Sequence, residues 1–341
     1  MSEEFSLNDE QIEFEDLLAA LQDESEPFPP RFLYRLSGLE RRELGHVSDV
    51  WPELSAQRRL GLLEDLELLA ESNTIMHFDA VNRLGLDDEE PEVRTVAIRS
   101  LWQSEREDLV PIFLNILDED DEDAPRAQAA AGLGRFVYLG ELGKIGKERL
   151  ADIERALLAI MDSEAAPLVR RRALESLGYS SHGQVPDLIE NAYLHGDEDW
   201  QASALFAMGR SADDRWTPLV LERLEDTHEL LSREAARAAG ELQINEALPG
   251  LINLLYDELP EIRLAAAWSI SQIGGEGASE ALEDLLERTE DEDEIDLIEN
   301  AIENLAFNEE LDDLHILDFS EEDLENLIGQ QEDDELFDDE E

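Results

Sequence analysis

PEVRTVAIRSLW at residues 91–102 and PEIRLAAAWSIS at residues 260–271 are two copies of one pattern, and their shared arginine brings the rest of the chain into register. Aligned on it, further copies are anchored at Arg94, Arg126, Arg170, Gln201, Arg233 and Arg263. Three residues beyond each anchor stands Ala97, Ala129, Ala173, Ala204, Ala236 or Ala266, without exception. Seven beyond stands Leu101, Leu133, Leu177, Met208 or Ile270, with Gly240 as the departure. Six before stands Asp88, Asp120, Glu164 or Asp257, while His195 and Thr227 (beside Asp226) depart. Successive anchors lie 32, 44, 31, 32 and 30 residues apart.

A period of about 31 residues with two helical segments per unit marks an α-solenoid. Positions −1, +3, +4 and +7 share one face of a helix with 3.6 residues per turn, so each second helix is amphipathic. The alanine at +3 lets neighbouring helices approach closely. LVPIFLNIL, QVPDLIENAYL, WTPLVLERL and ALPGLINLLY supply first helices, each with a proline in the first turn, where a missing N–H costs nothing.

The pattern D-x-x-x-P-x-V-R-x-x-A-x-x-x-L-G resembles the short HEAT repeat, also called the phycobilisome-lyase HEAT-like repeat. The resemblance implies an all-α fold: a superhelical array of about seven helix pairs over residues 73–307. A seventh unit, GASEALEDLLERTEDEDEIDLIENAIENLAF, loses the alanine register and the arginine, as terminal repeats do when one face meets solvent. Residues 31–72 read as an N-terminal helical cap, in which Leu60, Leu63, Leu66 and Leu69 recur and Ser55 can cap the helix start. Residues 1–30 form an acidic segment: a short helix carrying Phe14, Leu17, Leu18 and Leu21 on one face, then the linker DESEPFPP.

The 44-residue spacing contains GELGKIGKERL, residues 140–150, with the only two lysines, Lys144 and Lys147. A phosphate loop requires glycine where Glu141 stands and a hydroxyl where Glu148 stands. The stretch is therefore an insertion between repeats, near residues 138–149, that either extends helices or forms a loop. It supplies none of the periodic positions and is expected to be dispensable for folding.

The 341 residues carry a formal charge of −61, from 87 acids against 26 bases, of which 24 are arginine. Residues 1–30 hold 10 acids and no base, and residues 289–341 hold 25 acids and no base. Such a surface repels nucleic acid and anionic membranes and draws basic partners. Adaptation to salt or to solubility accounts for the charge equally well. Without cysteine there is no disulfide, thiol nucleophile or thiolate metal site. The acidic start MSEEFSLNDE and the absence of a long apolar run give a cytoplasmic expectation with no membrane insertion.

No catalytic, cofactor or metal site is expected. His46, His77, His182, His195, His228 and His315 lack ligand spacing. The run DEDDED, residues 118–123, lacks the glycine and the closing glutamate of a calcium loop. The anchor arginines Arg94, Arg126, Arg170, Arg233 and Arg263 are read as a structural ladder with the acids of the preceding turn, such as Arg94 with Asp88 and Arg263 with Asp257; Asp120 is the third acid of the set.

Binding is sought on the opposite face of the second helices, which lines the concave side of HEAT arrays. Positions +2, +5 and +9 give Arg99, Gln103, Arg135, Arg172, Tyr179, Phe206, Arg210, Trp268 and Gln272, residue types that dominate protein–protein hot spots. Phe206 and Trp268 equally suit packing between helices. The tail, residues 308–341, alternates acids with Leu314, Ile316, Leu317, Phe319, Leu324, Leu327, Ile328, Leu336 and Phe337. It suits either a segment that docks on a basic, apolar groove or a final capping helix with a solubilising end. The leading expectation is a non-enzymatic scaffold that holds another protein with a basic or basic-apolar surface. A bilin lyase-like, chromophore-handling enzyme is the alternative that the resemblance implies, and a nucleic-acid mimic is a weaker one. No cofactor and no nucleic-acid partner is expected.

Overall fold

The computed structural model describes residues 13–73, 75–226 and 228–313. Thr227 and the tail from Leu314 onward, both read above, lie outside the described residues. Within them only α- and 3-10 helices occur. The chain divides into two compact units, residues 1–196 and 197–341.

The first unit begins with α1 (Phe14–Gln22), α2 (Arg41–Val50) and α3 (Ala56–Ser72). The short α4 (Asp79–Asn82) precedes α5 (Pro91–Arg99), and α6 (Val110–Glu119) pairs with α7 (Asp123–Glu141). Next come α8 (Lys147–Met161), α9 (Pro167–Leu177) and α10 (Val185–His195). The second helices α3, α5, α7 and α9 pack in succession. In the other unit α11 (Glu198–Arg210), α12 (Thr217–Leu224) and α13 (Glu229–Glu241) lead to α14 (Leu248–Leu254), α15 (Pro260–Ile273), α16 (Ala278–Arg288) and α17 (Glu292–Asp313). There α11, α13, α15 and α17 stack, with α12, α14 and α16 behind them.

The alanine column sets this stacking. Ala97, Ala129, Ala173, Ala204, Ala236 and Ala266 are all fully buried, because a larger side chain at +3 would hold the next helix away. Leu133, Leu177, Met208 and Ile270 at +7 are equally buried. Each of these larger side chains at +7 contributes about 1.5–3 kcal/mol of apolar burial. Gly240, the departure at +7, has a steric reason: a Cβ there would lie 2.8 Å from Ser269 Cα and from the Trp268 ring. At the same seam Ser269 Oγ donates to the Ala236 carbonyl at 2.7 Å; in the other unit, between α9 and α7, Ser176 Oγ donates to the Ala130 carbonyl at 2.8 Å. Each of the six anchors is the fourth or fifth residue of its helix; in α17 the fourth is Ile295, so the fully buried Ile298 stands at +3 and this helix lacks both the arginine and the alanine, as the sequence predicts.

The ladder runs in the other direction from the one expected. Arg94 donates through Nε and Nη2 to both Asp120 oxygens at 2.8 Å, across to the next repeat. To Asp88 it gives only a bond to the backbone carbonyl, at 2.7 Å. Arg263 likewise donates to the Asp257 carbonyl at 3.0 Å and grips Glu294 at 2.7 and 2.9 Å. The Asp257 carboxylate instead accepts the Leu259 amide. An arginine side chain is long enough to bridge one repeat to the next, and a bidentate carboxylate is its better partner. Burial pushes the Asp120 carboxyl up. Its bonds from Arg94 and from the Glu122 amide outweigh that, and hold it below the usual carboxylate range. Of the middle anchors, Arg126 donates to the Leu117 carbonyl, Arg170 to the Met161 carbonyl, and Arg233 to its neighbour Glu234.

Asp88 is itself a rung, and its partner is Arg59. This arginine of α3 is buried, donates to Asp88 Oδ1 at 2.9 Å and places Nε 2.8 Å from Oδ2. Trp51 Nε1 completes the carboxylate shell at 2.9 Å. Thus α3 is a ladder-bearing second helix as well as part of the N-terminal cap. Ser55 caps it by accepting the Arg58 amide at 3.2 Å. The stretch read as a linker is fastened to α3: Arg58 donates to the Asp23 and Glu26 carbonyls, and Glu24 accepts the Ser55 amide.

The insertion lengthens α7 and α8 and leaves a tight turn between them. Gly143 (φ 70°) takes the left-handed position that ends α7, where the Lys144 amide reaches back to the Leu139 carbonyl and the Gly143 amide to Gly140. Leu139 and Ile145 are buried, and a Cβ on Gly140 would lie 2.7 Å from Leu150. The expectation of a dispensable insertion is thereby corrected: it contributes to the core although it lies outside the periodic positions.

Candidate functional site

In the unit of residues 197–341, the close approach of α11, α13 and α15 opens a groove of about 500 Å³ on their shared face. Its floor is made of small residues, Gly209, Ala238 and Ala265. A Cβ on Gly209 would lie 3.0 Å from Ala238 Cα, so the floor is the place where the helices nearly touch. Its walls are Phe206, Leu264, Trp268 and, from α17, Leu297. Trp268 is 39% exposed and Leu297 54% exposed, large apolar surfaces facing solvent.

Charge is arranged around that apolar strip. Arg210, Arg233 and Arg237 line the groove, three of the seven arginines that follow Gly196, against Glu241 and Glu261. Arg210 lies over the Phe206 ring, its Cζ 3.9 Å from the centroid, which holds the guanidinium flat on the wall. Arg233 bonds Glu234 at 3.0 Å, and Arg237 lies 3.8 Å from the same oxygen with about half its side chain exposed. The buried Glu234 carboxylate therefore neighbours two of the cations, accepting from Arg233 and lying 3.8 Å from Arg237. Three arginines against Glu241, Glu261 and the underlying Glu234 leave the groove neutral in a chain of −61.

Three of the residues selected from sequence, Phe206, Arg210 and Trp268, are brought together here. The others lie elsewhere. Arg99 is clamped by Glu67 at 2.5 and 2.6 Å, Arg135 pairs with Glu105, and Arg172 bonds Glu175 at 2.6 Å. Tyr179 stacks on Tyr138 with centroids 5.2 Å apart, Gln103 is exposed beyond the end of α5, and Gln272 bonds Ser271. Sequence reasoning missed Arg237, Leu264 and Leu297 and assigned Arg233 to the ladder alone. Arg237 stands at +4, a position the repeat pattern assigns to the packed face, so a search of the outward face passes over it. A second depression of about 810 Å³ lies between α6 and α8, where the insertion lengthens α8. Though larger, it carries no aromatic side chain, and Arg126 and Arg155 face Asp118, Asp152 and Glu164 there. Among the described residues no cluster of acids and histidines is arranged to hold a metal ion, and no helix is long and apolar enough to cross a membrane.

A family model described as HEAT repeats matches residues 81–178 and 217–306, more than half of the chain. The chain belongs to the HEAT-repeat family. This HEAT-repeat protein is 36% identical over 81 residues to the epoxyqueuosine reductase of Bacillus cereus, a match covering 24% of this chain and 21% of that one. The chain thus spans about a fifth of the length of the curated relatives it matches. Among solved structures it is similar to the complex of CpcE and CpcF of phycocyanin lyase from Nostoc sp. PCC7120. That likeness has 19% identity, covers 67% of this chain and 94% of that one, and has a TM-score of 0.44. It is also similar to human deoxyhypusine hydroxylase, at 16% identity over 78% and 96% of the two chains, with a TM-score of 0.36.

Proposed function

We propose that this HEAT-repeat protein is a non-enzymatic interaction scaffold whose docking surface is the groove between α11 and α17. The observation that carries the reading is the exposed Trp268 beside the stacked Phe206–Arg210 pair, on a rigid helical floor. Tryptophan and arginine anchors around a pre-ordered depression are the residues that dominate binding energy when a partner desolvates them. The partner is another protein that offers apolar side chains to Trp268 and a carboxylate or carbonyl to Arg233 and Arg237. The acidic surface around the groove favours partners that are otherwise basic and speeds their encounter.

The test captures the partner from extracts of the native host, purifies it and measures its affinity for full-length variants. Trp268→Ala and Arg237→Glu should each weaken binding at least about tenfold, mainly through faster dissociation. Because Arg237→Glu sets a second carboxylate beside the buried Glu234, Arg237→Gln is measured with it: it removes the charge without that repulsion, and both melting temperatures are checked before binding is read. If both variants remain folded and bind like wild type, the groove is not the docking surface.

A further inference from the structure

We propose that the groove's resident occupant is the chain's own carboxyl-terminal segment, residues 314–341, with Leu324, Leu327 and Ile328 seated against Trp268 and Leu297. The inference rests on the reading of this groove as a docking surface. Three observations carry it.

The first is charge. Residues 314–341 contain 13 acids and neither lysine nor arginine, whereas the groove gathers three of the seven arginines of its half of the chain. An acidic segment tethered beside such a cluster is drawn to it in preference to the acidic surface around it. The second is pattern. Leu324, Leu327 and Ile328 follow the i, i+3, i+4 spacing with which an amphipathic helix fills an apolar groove, and acids occupy the intervening positions.

The third is reach. The helix α17 contributes Leu297 to the groove wall and is helical to Asp313, 16 residues further on, about 24 Å along its axis. A segment turning back must recover that distance. Phe319 lies six residues past Asp313 and extends at most about 20 Å, too little to return to Leu297. Leu324 lies eleven residues past and extends up to about 36 Å, enough to arrive with slack. Tethering supplies the affinity: at an effective concentration on the order of 1 mM, an intrinsic Kd of about 100 µM leaves the groove roughly nine-tenths filled. A partner must then displace the segment, so the groove discriminates against weak, non-specific ligands.

The experiment uses the full chain. Hydroxyl-radical footprinting should show Trp268 oxidised about tenfold more slowly in wild type than in the triple variant Leu324→Asp, Leu327→Asp, Ile328→Asp, the inverse of a nine-tenths occupancy. Trp102, 57% exposed and in the other unit, should react at the same rate in both proteins and serves as the internal reference. A photoreactive residue in place of Leu297 should cross-link to residues 314–341 of the same chain, established by mixing isotopically light and heavy protein. Equal Trp268 rates in the two proteins, no cross-link to 314–341, or cross-links only between light and heavy chains would each overturn the proposal. The two readings separate cleanly. If the footprint is absent while Trp268→Ala and Arg237→Glu still lose the partner, the tail proposal falls and the docking groove stands. If the footprint is present while those variants bind the partner normally, the groove is the tail's seat and the scaffold reading falls.

Discussion

Removing the Asp88 carboxylate leaves the Arg59 guanidinium, nearly sealed from water, without its buried counter-charge and with only the exposed Glu89, 3.5 Å away. Breaking a buried ion pair from one side costs about 3–5 kcal/mol, because the surviving charge stays desolvated. The variant Asp88→Ala should therefore lower the unfolding free energy of the amino-terminal unit by that amount, read from its urea midpoint and slope. The double variant Arg59→Leu, Asp88→Leu should recover much of the loss, because it removes both desolvation penalties together. A double variant no more stable than the single one would show that the Trp51 bond, and not the charge, dominates the site. The exposed pairs predict much less: Arg106 with Asp108 and Arg155 with Asp152 are screened by solvent, and their removal should leave the midpoint nearly unchanged.

Among the elements, the α7–α8 turn shows how an insertion becomes part of a core. Two extended helices need a reversal, and Gly143 supplies it because a side chain at its positive φ would be strained. The reversal then places Ile145 back against the protein and keeps Leu139 covered. Deleting residues 139–147 and closing the gap with a short linker removes two large buried side chains, each contributing about 1.5–3 kcal/mol. The expected outcome is a loss of roughly 3–6 kcal/mol in urea unfolding. Wild-type stability of the deletion would mean that the neighbouring helices repack without these residues.

For the molecule as a whole, self-repulsion is the unusual term. A formal charge of −61 raises the free energy of any compact state. Raising potassium chloride from 0.1 to 1 M shortens the screening length from about 10 Å to about 3 Å and relieves that repulsion. The melting temperature should rise across this range. Surface ion pairs weaken at the same time, but at about 0–1 kcal/mol each they are the smaller effect. A melting temperature that falls with salt would show that the arginine bridges between repeats outweigh the repulsion.

The alanine column, the helix pairs and the anionic character were legible in the sequence because each is a local or additive property. Helical periodicity repeats every 3.6 residues, and an alanine at +3 announces a close neighbour without saying which residue touches it. Trp268, Phe206 and Arg210 were legible for the same reason, since each sits on the outward face of its own helix. What the tertiary structure alone decided is who meets whom across repeats. With 87 acids available, no local pattern selects Asp120 for Arg94, Glu294 for Arg263, or Asp88 for Arg59. That choice depends on how far one helix is displaced along the next and on which carboxylate an arginine's fork can reach with both donors. The groove obeys the same physics: Arg237 and Leu297 join Trp268 only because α13 and α17 flank α15 at close-packed distance, a relation set by buried small side chains on three separate helices.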